Sequence, residues 1–237
     1  MISQLDFYLS TEHDCSYLDR LAQNIFLDPN SLPNLAQYQK LLELGFRRSG
    51  KNLYRPHCPG CSECISVRVN VNEFMPKKSQ KRCYKKNQDI IYKSISDDFS
   101  QEHFELYRKY LKSRHQGEGM DESTKDDYIN FLTSSWSHTQ FLEFRQKDSN
   151  HLVAVAVTDI VNNALSSVYT FFDTDEKYQK RSIGVYAILS QIAYAKSMGL
   201  KWVYLGYWIR DNQKMSYKNQ YKPAQILVNN EWLDLLD

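Results

Sequence analysis

The sequence predicts an α+β protein, and three observations predict it. Residues 139–172 read as three strands in series, residues from about 182 to 198 read as one long helix, and Lys201 to Trp208 reads as a further strand. Antiparallel-looking strands followed by a helix and a returning strand make an α+β unit with one βαβ crossover. The composition supports a real core: 237 residues with 42% hydrophobic and 14% aromatic content. Lys+Arg 30 against Asp+Glu 28 leaves a net charge of only +2, so a nucleic-acid partner has to be met by a local patch. No charged-then-apolar leader opens the chain, and no apolar run approaches the roughly 18 residues that span a bilayer. The expectation is a cytoplasmic protein with no membrane partner. Five cysteines, three of them closely spaced, argue for reduced thiols or a metal over a disulfide framework.

Taken in order, residues 1 to about 30 mix polar and aromatic residues around Cys15 without a period. Asn30-Ser31-Leu32-Pro33 opens a helix that carries Leu35, Tyr38, Leu41 and Leu42 on one face and stops at Gly45. Phe46 to Ser49 and Leu53 to Arg55 flank Gly50 as a hairpin. It leads to Cys58-Pro59-Gly60-Cys61-Ser62-Glu63-Cys64, a tight turn bearing three thiols. A strand follows in which Ile65, Val67, Val69 and Val71 alternate with Ser66, Arg68, Asn70 and Asn72. Residues 76 to 88 hold six basic residues and no acidic one, and on a helix Lys78, Arg82 and Lys85 share a face.

A short strand from Asp89 to Ile95 closes the first unit, giving an N-terminal cysteine-bearing domain over 1–95 and a second domain over 96–237. In the second, Phe104, Tyr107 and Leu111 mark a helix over about 100–114. Arg114 to Met120 forms a Gly-bearing loop, and Ser123 with Asp126 forms a capping box for a helix carrying Tyr128, Phe131 and Leu132. The run Leu152-Val153-Ala154-Val155-Ala156-Val157 is apolar on both faces, as in a central strand covered by helices. The long helix opens at Arg181-Ser182-Ile183-Gly184 and ends at Gly199. This order of elements resembles the GNAT, or acetyltransferase-like, fold.

Several constellations carry chemistry. Cys58, Cys61 and Cys64, with Cys15 as a fourth ligand, can hold zinc or an iron–sulfur cluster; alternatively they are small buried residues whose thiols do nothing. The basic stretch with Tyr84 suits a phosphate backbone, though a solvated helix face explains such runs equally well. Backbone N–H groups at the start of the 182–198 helix present a partial positive charge to an anion, with Arg181 beside them. Gly206, between Leu205 and Tyr207, marks a bulge or a place where a ligand nears the backbone.

These segments together resemble a known family. Tyr54-Arg55-Pro56 with the cysteine turn, Ser66-Val67-Arg68-Val69, Glu73-Phe74 with Pro76, Arg114-His115 with Gly119-Met120, Ser167-Val168-Tyr169 with Phe171-Phe172-Asp173, Tyr204 to Trp208, and Met215-Ser216-Tyr217-Lys218 closely resemble the bacterial aspartate/glutamate leucyltransferases. These form the bacterial branch of the arginyl-tRNA–protein transferase family. The match runs in register from about Phe7 to the C-terminus. Departures from the family pattern fall at Cys15-Ser16-Tyr17-Leu18-Asp19, at Glu118, at Ser216 and in the loop from Glu176 to Lys180. The resemblance implies an N-terminal arginyltransferase-family domain joined to a GNAT domain. It implies transfer of leucine from leucyl-tRNA to the N-terminal amine of proteins beginning with Asp or Glu, in the N-degron (N-end rule) pathway of protein degradation, with no cofactor required.

The reaction is aminolysis of an activated ester. An α-amino group titrates at about 7.7–8.0, so roughly a tenth of it is already neutral at pH 7 and positioning supplies most of the acceleration. Tyr207, Tyr169 and Asp173 are the candidates for a modest proton relay. Arg68 and Arg55 are the candidates for holding the acidic first residue, because a planar guanidinium pairs with a carboxylate in two bonds. Lys78, Arg82, Lys85 and Arg181 are the candidates for tRNA contact. The rival readings are a coenzyme-A-dependent GNAT acetyltransferase and a non-catalytic tRNA-binding or redox-sensing module.

Overall fold

The computed structural model describes residues 5–114 and 122–236. Four short strands, β1 (Phe7–Leu9), β2 (His13–Asp14), β3 (Leu21–Ala22) and β4 (Asn24–Leu27), occupy the stretch where the sequence shows no period. None is long enough for alternation to register. Helix α1 (Leu35–Glu43) starts at Asn34, whose side chain accepts from the Gln37 amide while Gln37 accepts from the Asn34 amide. This capping box lies just past the expected Pro33 opening. Gly45, at φ +86°, turns the chain directly into β5 (Arg47–Ser49) and β6 (Asn52–Pro56), the hairpin expected around Gly50. These strands form a small sheet in the order β1-β4-β6-β5.

After the cysteine turn come β7 (Ile65–Asn70), the basic helix α2 (Lys78–Lys86), β8 (Ile90–Ser96), α3 (Gln101–Arg114) and α4 (Lys125–Leu132). The cap of α4 is Thr124 with Asp127, one residue beyond the expected Ser123 and Asp126. The expected Gly-bearing loop lies largely outside the described residues. The strands β9 (Thr139–Gln146), β10 (Leu152–Val161) and β11 (Ala164–Phe172) form the antiparallel meander. A short α5 (Glu176–Gln179) and the long α6 (Ile183–Ser197) carry the chain across to β12 (Trp202–Trp208), which lies parallel to β11. The chain finishes with α7 (Gln213–Ser216) and a hairpin of β13 (Ala224–Val228) and β14 (Glu231–Asp234). Asn229 and Asn230 turn this hairpin at φ 51° and 62°, the left-handed pair that asparagine tolerates best among side-chain-bearing residues.

The large sheet runs β14-β13-β7-β12-β11-β10-β9-β8. Every residue of β10 is buried. Ala154 and Ala156 face the cluster built on α6, while Val155 and Val157 face the aromatic cluster of α3 and α4. The continuous apolar run is thus the mark of a strand covered on both faces. Residue 96 ends β8, but the sheet is continuous across that point, because β7 and β8 from the first part of the chain pair with β12, β13 and β9. Among the described residues no helix is long and apolar enough to cross a membrane.

Candidate active site

The parallel strands β11 and β12 pair only at Ala164–Trp202, Leu165–Val203 and Ser166–Tyr204. Beyond that point both are irregular. The register of β11 against β10 shifts between Val157 and Thr158, and that of β12 against β7 shifts between Tyr204 and Gly206. Gly206 sits at φ +85°, a conformation that side-chain-bearing residues rarely adopt. Strands that part in this way leave backbone groups to be paired by something else.

Arg47 reaches into the parting from β5. Its Nη2 donates to the Ser167 carbonyl, the first on β11 past the pairing, and a Cβ added at Gly206 would lie 3.4 Å from the same nitrogen. Arg47 is only 8% exposed. Behind β11, the Ser167 hydroxyl donates to Gln191 Oε1 at 2.5 Å, and Gln191, fully buried in α6, has no hydrogen-bond partner on Nε2 among the described residues. On the β12 side, buried Lys218 donates from Nζ to the Tyr207 carbonyl at 2.6 Å and lies 3.0 Å from Met215 Sδ. Burial first, and then the Arg47 charge, push this ammonium down to about 7. Neither Arg47 nor Lys218 forms an ion pair with a carboxylate among the described residues. Two buried cations thus stand beside the parted strands.

Of the expected relay, the structure brings Tyr207 here, but by its backbone. The Tyr207 hydroxyl donates to the Gly45 carbonyl at 2.9 Å and contacts the Tyr54 carbonyl at 3.3 Å, and burial pushes its pKa well up. Tyr169 belongs to the aromatic cluster of Tyr107, Tyr110 and Phe131. Asp173 stands beyond the far end of β11, where Lys109 and His151 hold it at 2.6 and 2.9 Å. Burial raises its pKa, but the hydrogen bonds from Lys109, the Asp175 amide and His151 outweigh it and keep the carboxyl below its usual range. It is held as an ion and is not gathered with Tyr207.

Arg68 is stacked between Trp202 and Trp232, its guanidinium 4.0 and 4.1 Å from the two ring centres, and donates to Gln225 and to the Tyr204 hydroxyl. This side chain cements the terminal hairpin to the sheet. Arg55 donates to the Leu44 carbonyl at 2.8 Å and borders an apolar cavity of about 400 Å³ with Phe7, Ile25, Leu44 and Phe46. Lys78, Arg82 and Lys85 are exposed on α2, along with Lys77, Lys81 and Lys86. Gln80, Cys83 and Asn87 form the buried side of that helix. Arg181 is not part of this free surface: it grips Asp89 with two nitrogens and also binds Asn87 and the Lys86 carbonyl.

Cys15, Cys58, Cys61 and Cys64 do lie in one neighbourhood. Burial, then the charges of Cys15, Cys58 and Cys61, push the Cys64 thiol up to about 12. Their sulfurs are engaged separately, Cys58 with the Gln23 backbone and Cys61 with Arg20. Among the described residues no group of three or more His, Cys, Asp or Glu side chains is arranged to hold a metal ion. The expectation of zinc or an iron–sulfur cluster does not fit this arrangement, and no step below is routed through a metal.

Lys218 lies in the Met215–Lys218 motif and Arg47 beside Arg48 in a hairpin, and spacing alone marks neither as a site residue. Comparison with known proteins finds relatives of the whole sequence. Residues 13–82 match the family model for the arginine-tRNA-protein transferase N terminus, and residues 102–228 match that for the C terminus. An aspartate/glutamate leucyltransferase of Saccharophagus degradans is 46% identical over 236 residues, covering 99% of each chain. That of Hahella chejuensis is 49% identical, covering 98% of this chain and 97% of its own. Likeness to solved structures is weaker: FemX, at 8% identity and a TM-score of 0.47, covers 91% of this chain and 82% of its own.

Proposed function

The chain belongs to the arginine-tRNA-protein transferase family, and from that membership we propose that it moves leucine from leucyl-tRNA to the N-terminal amine of proteins beginning with Asp or Glu. That transfer marks such proteins for degradation in the N-degron pathway. The observation that carries the reading is the near-complete coverage of the leucyltransferase relatives. The two buried cations at the parting of β11 and β12 are in keeping with it.

In the proposed reaction the acceptor amine attacks the leucyl ester carbonyl, the carbon–oxygen ester bond breaks, and a ribose hydroxyl departs. The ester is itself activated, so the transfer draws on no cofactor. What the chain must supply is orientation and a place for one proton. Lys218 suits the second task. A buried ammonium pushed down to about 7 exchanges a proton near neutral pH, whereas an ordinary lysine holds it. The unpaired backbone edge of the parted strands can receive an extended peptide N-terminus. The exposed lysines and Arg82 of α2 are suited to the tRNA backbone, where affinity rests on cations meeting phosphates.

The test is direct. Purified protein is incubated with labelled leucyl-tRNA, acetyl-coenzyme A, and peptides starting with Asp, Glu, Arg or Ala. Leucine is expected on the Asp and Glu peptides. Acetyl transfer, or tRNA binding without transfer, would replace the reading with one of its rivals.

A further inference from the structure

Arg47 and Arg48 are adjacent in β5, point to opposite faces, and are treated very differently. Arg48 has every donor occupied. It pairs with Asp159 through Nε at 2.6 Å and Nη2 at 3.0 Å, and its remaining N–H groups meet the carbonyls of Gly50, Leu132 and Thr133. A buried arginine that only holds a fold together is expected to look like this. Arg47 is buried at 8% exposure, yet among the described residues its guanidinium makes one hydrogen bond, to the Ser167 carbonyl, and meets no carboxylate, and its other nitrogens keep some accessible surface. A guanidinium has five N–H donors. Most of those on Arg47 are left for another group, at a place where an unpaired charge is costly.

The surroundings select what that group is. Tyr54, Tyr204, Tyr207 and Lys218 all feel the Arg47 charge, and none supplies a negative one at neutral pH. A Cβ at Gly206 would stand 3.4 Å from Nη2 and 3.5 Å from Cζ, so glycine lets the β12 backbone approach one face of the guanidinium without a side chain over it. A short carboxylate, delivered beside the backbone edge of parted strands, satisfies both the charge and the donors.

We infer that Arg47 is the specificity-determining residue that receives the side-chain carboxylate of the acceptor's first residue. This rests on the transfer reading above and adds the identity of the receptor, in place of Arg68, whose guanidinium is stacked between two tryptophans and bonded to Gln225, and of Arg55, which is half-exposed over the Phe46 ring. A planar fork in a low-dielectric site discriminates a carboxylate from its neutral amide isostere, because only the carboxylate both accepts two hydrogen bonds and cancels the charge.

The experiment measures binding of peptides that start with Asp, Asn or Ala to the full-length protein without tRNA, alongside leucyl transfer and thermal unfolding. Wild-type protein should bind the Asp peptide about 10- to 100-fold more tightly than the Asn peptide, the range that charge-assisted hydrogen bonds supply. Arg47→Met should abolish that preference while keeping or raising the melting temperature, because it removes an uncompensated buried charge. Arg47→Lys should fold with its charge intact and lose most of the preference along with the fork. Should Arg47→Met or Arg47→Lys keep the full Asp preference, or should wild-type protein show none, the assignment is overturned. A melting temperature lowered by Arg47→Met with the preference intact would instead make Arg47 structural. Wild-type protein that binds Asp peptides but transfers no leucine would overturn the transfer reading and leave the Arg47 assignment standing.

Discussion

Lys218 and Arg48 show how much one side chain's meaning depends on its partners. Both are buried cations, but Arg48 has Asp159, whereas Lys218 meets a carbonyl, a thioether and the ring of Tyr217. The pH dependence follows from the sign of the shift. Lys218 titrates at about 7 when folded and at about 10.4 when unfolded, so between those values the unfolded chain binds the extra proton. Its contribution to stability is therefore adverse below about 7 and is relieved as the pH rises. Denaturant unfolding of wild type and Lys218→Met at pH 6.5 and 9.5 should show wild type gaining relative to the variant at the higher pH. The same substitution should remove an inflection near pH 7 from leucyl transfer, leaving that of the acceptor amine. At this scale the sequence was least legible. Alternation places Arg68 on the polar face of its strand, but no such pattern discloses that Trp232, far along the chain, closes over it.

Elements were more legible, because periodicity is a local property. Strand β9 and helix α3 fall where the sequence places them, over 139–146 and about 100–114, and α2 lies inside the basic stretch 76–88. What escaped is the set of short strands β1 to β4, and the β13–β14 hairpin, whose Asn229-Asn230 turn is nonetheless a recognisable signal. Helix α2 carries the prediction at this scale. Its cations are exposed and its buried side is Gln80, Cys83 and Asn87, so reversing Lys78, Arg82 and Lys85 to Glu should leave the fold intact. Leucyl-tRNA binding should weaken, and the slope of its logarithm against log salt should fall by about 2 to 3, at just under one unit per phosphate contact. Equal binding across several salt concentrations would remove α2 from the tRNA surface.

At the scale of the molecule, two polar networks tie separate layers together. Asp159 in β10 receives Tyr38 from α1, Arg48 from β5 and Thr139 from β9. Removing one partner of a buried ion pair costs about 3–5 kcal/mol, so Asp159→Ala should lower the melting temperature by about 10 °C in a chain of this size. Glu143 in β9 joins α3 and β8 through His103 and Lys93, with Arg145 beside it. Burial raises its pKa, but those hydrogen bonds outweigh burial and bring it down to about 2. That stability is present above the unfolded value of about 4.3 and is lost as the pH falls toward 2. The difference in melting temperature between wild type and Glu143→Gln should accordingly shrink between pH 6 and pH 2.

Strand β7 has a consequence for how the chain is made. Val69 lies beside Val203 on one side and Ala224 on the other, so during synthesis this strand waits for most of the polypeptide before either neighbour exists. Loop closure over such separations is slow, and an unpaired apolar strand invites association with other chains in the meantime. Residues 1–95 and 96–237 expressed apart should each aggregate, and mixing them during refolding should recover soluble protein, measured by sedimentation of the two fragments alone and together.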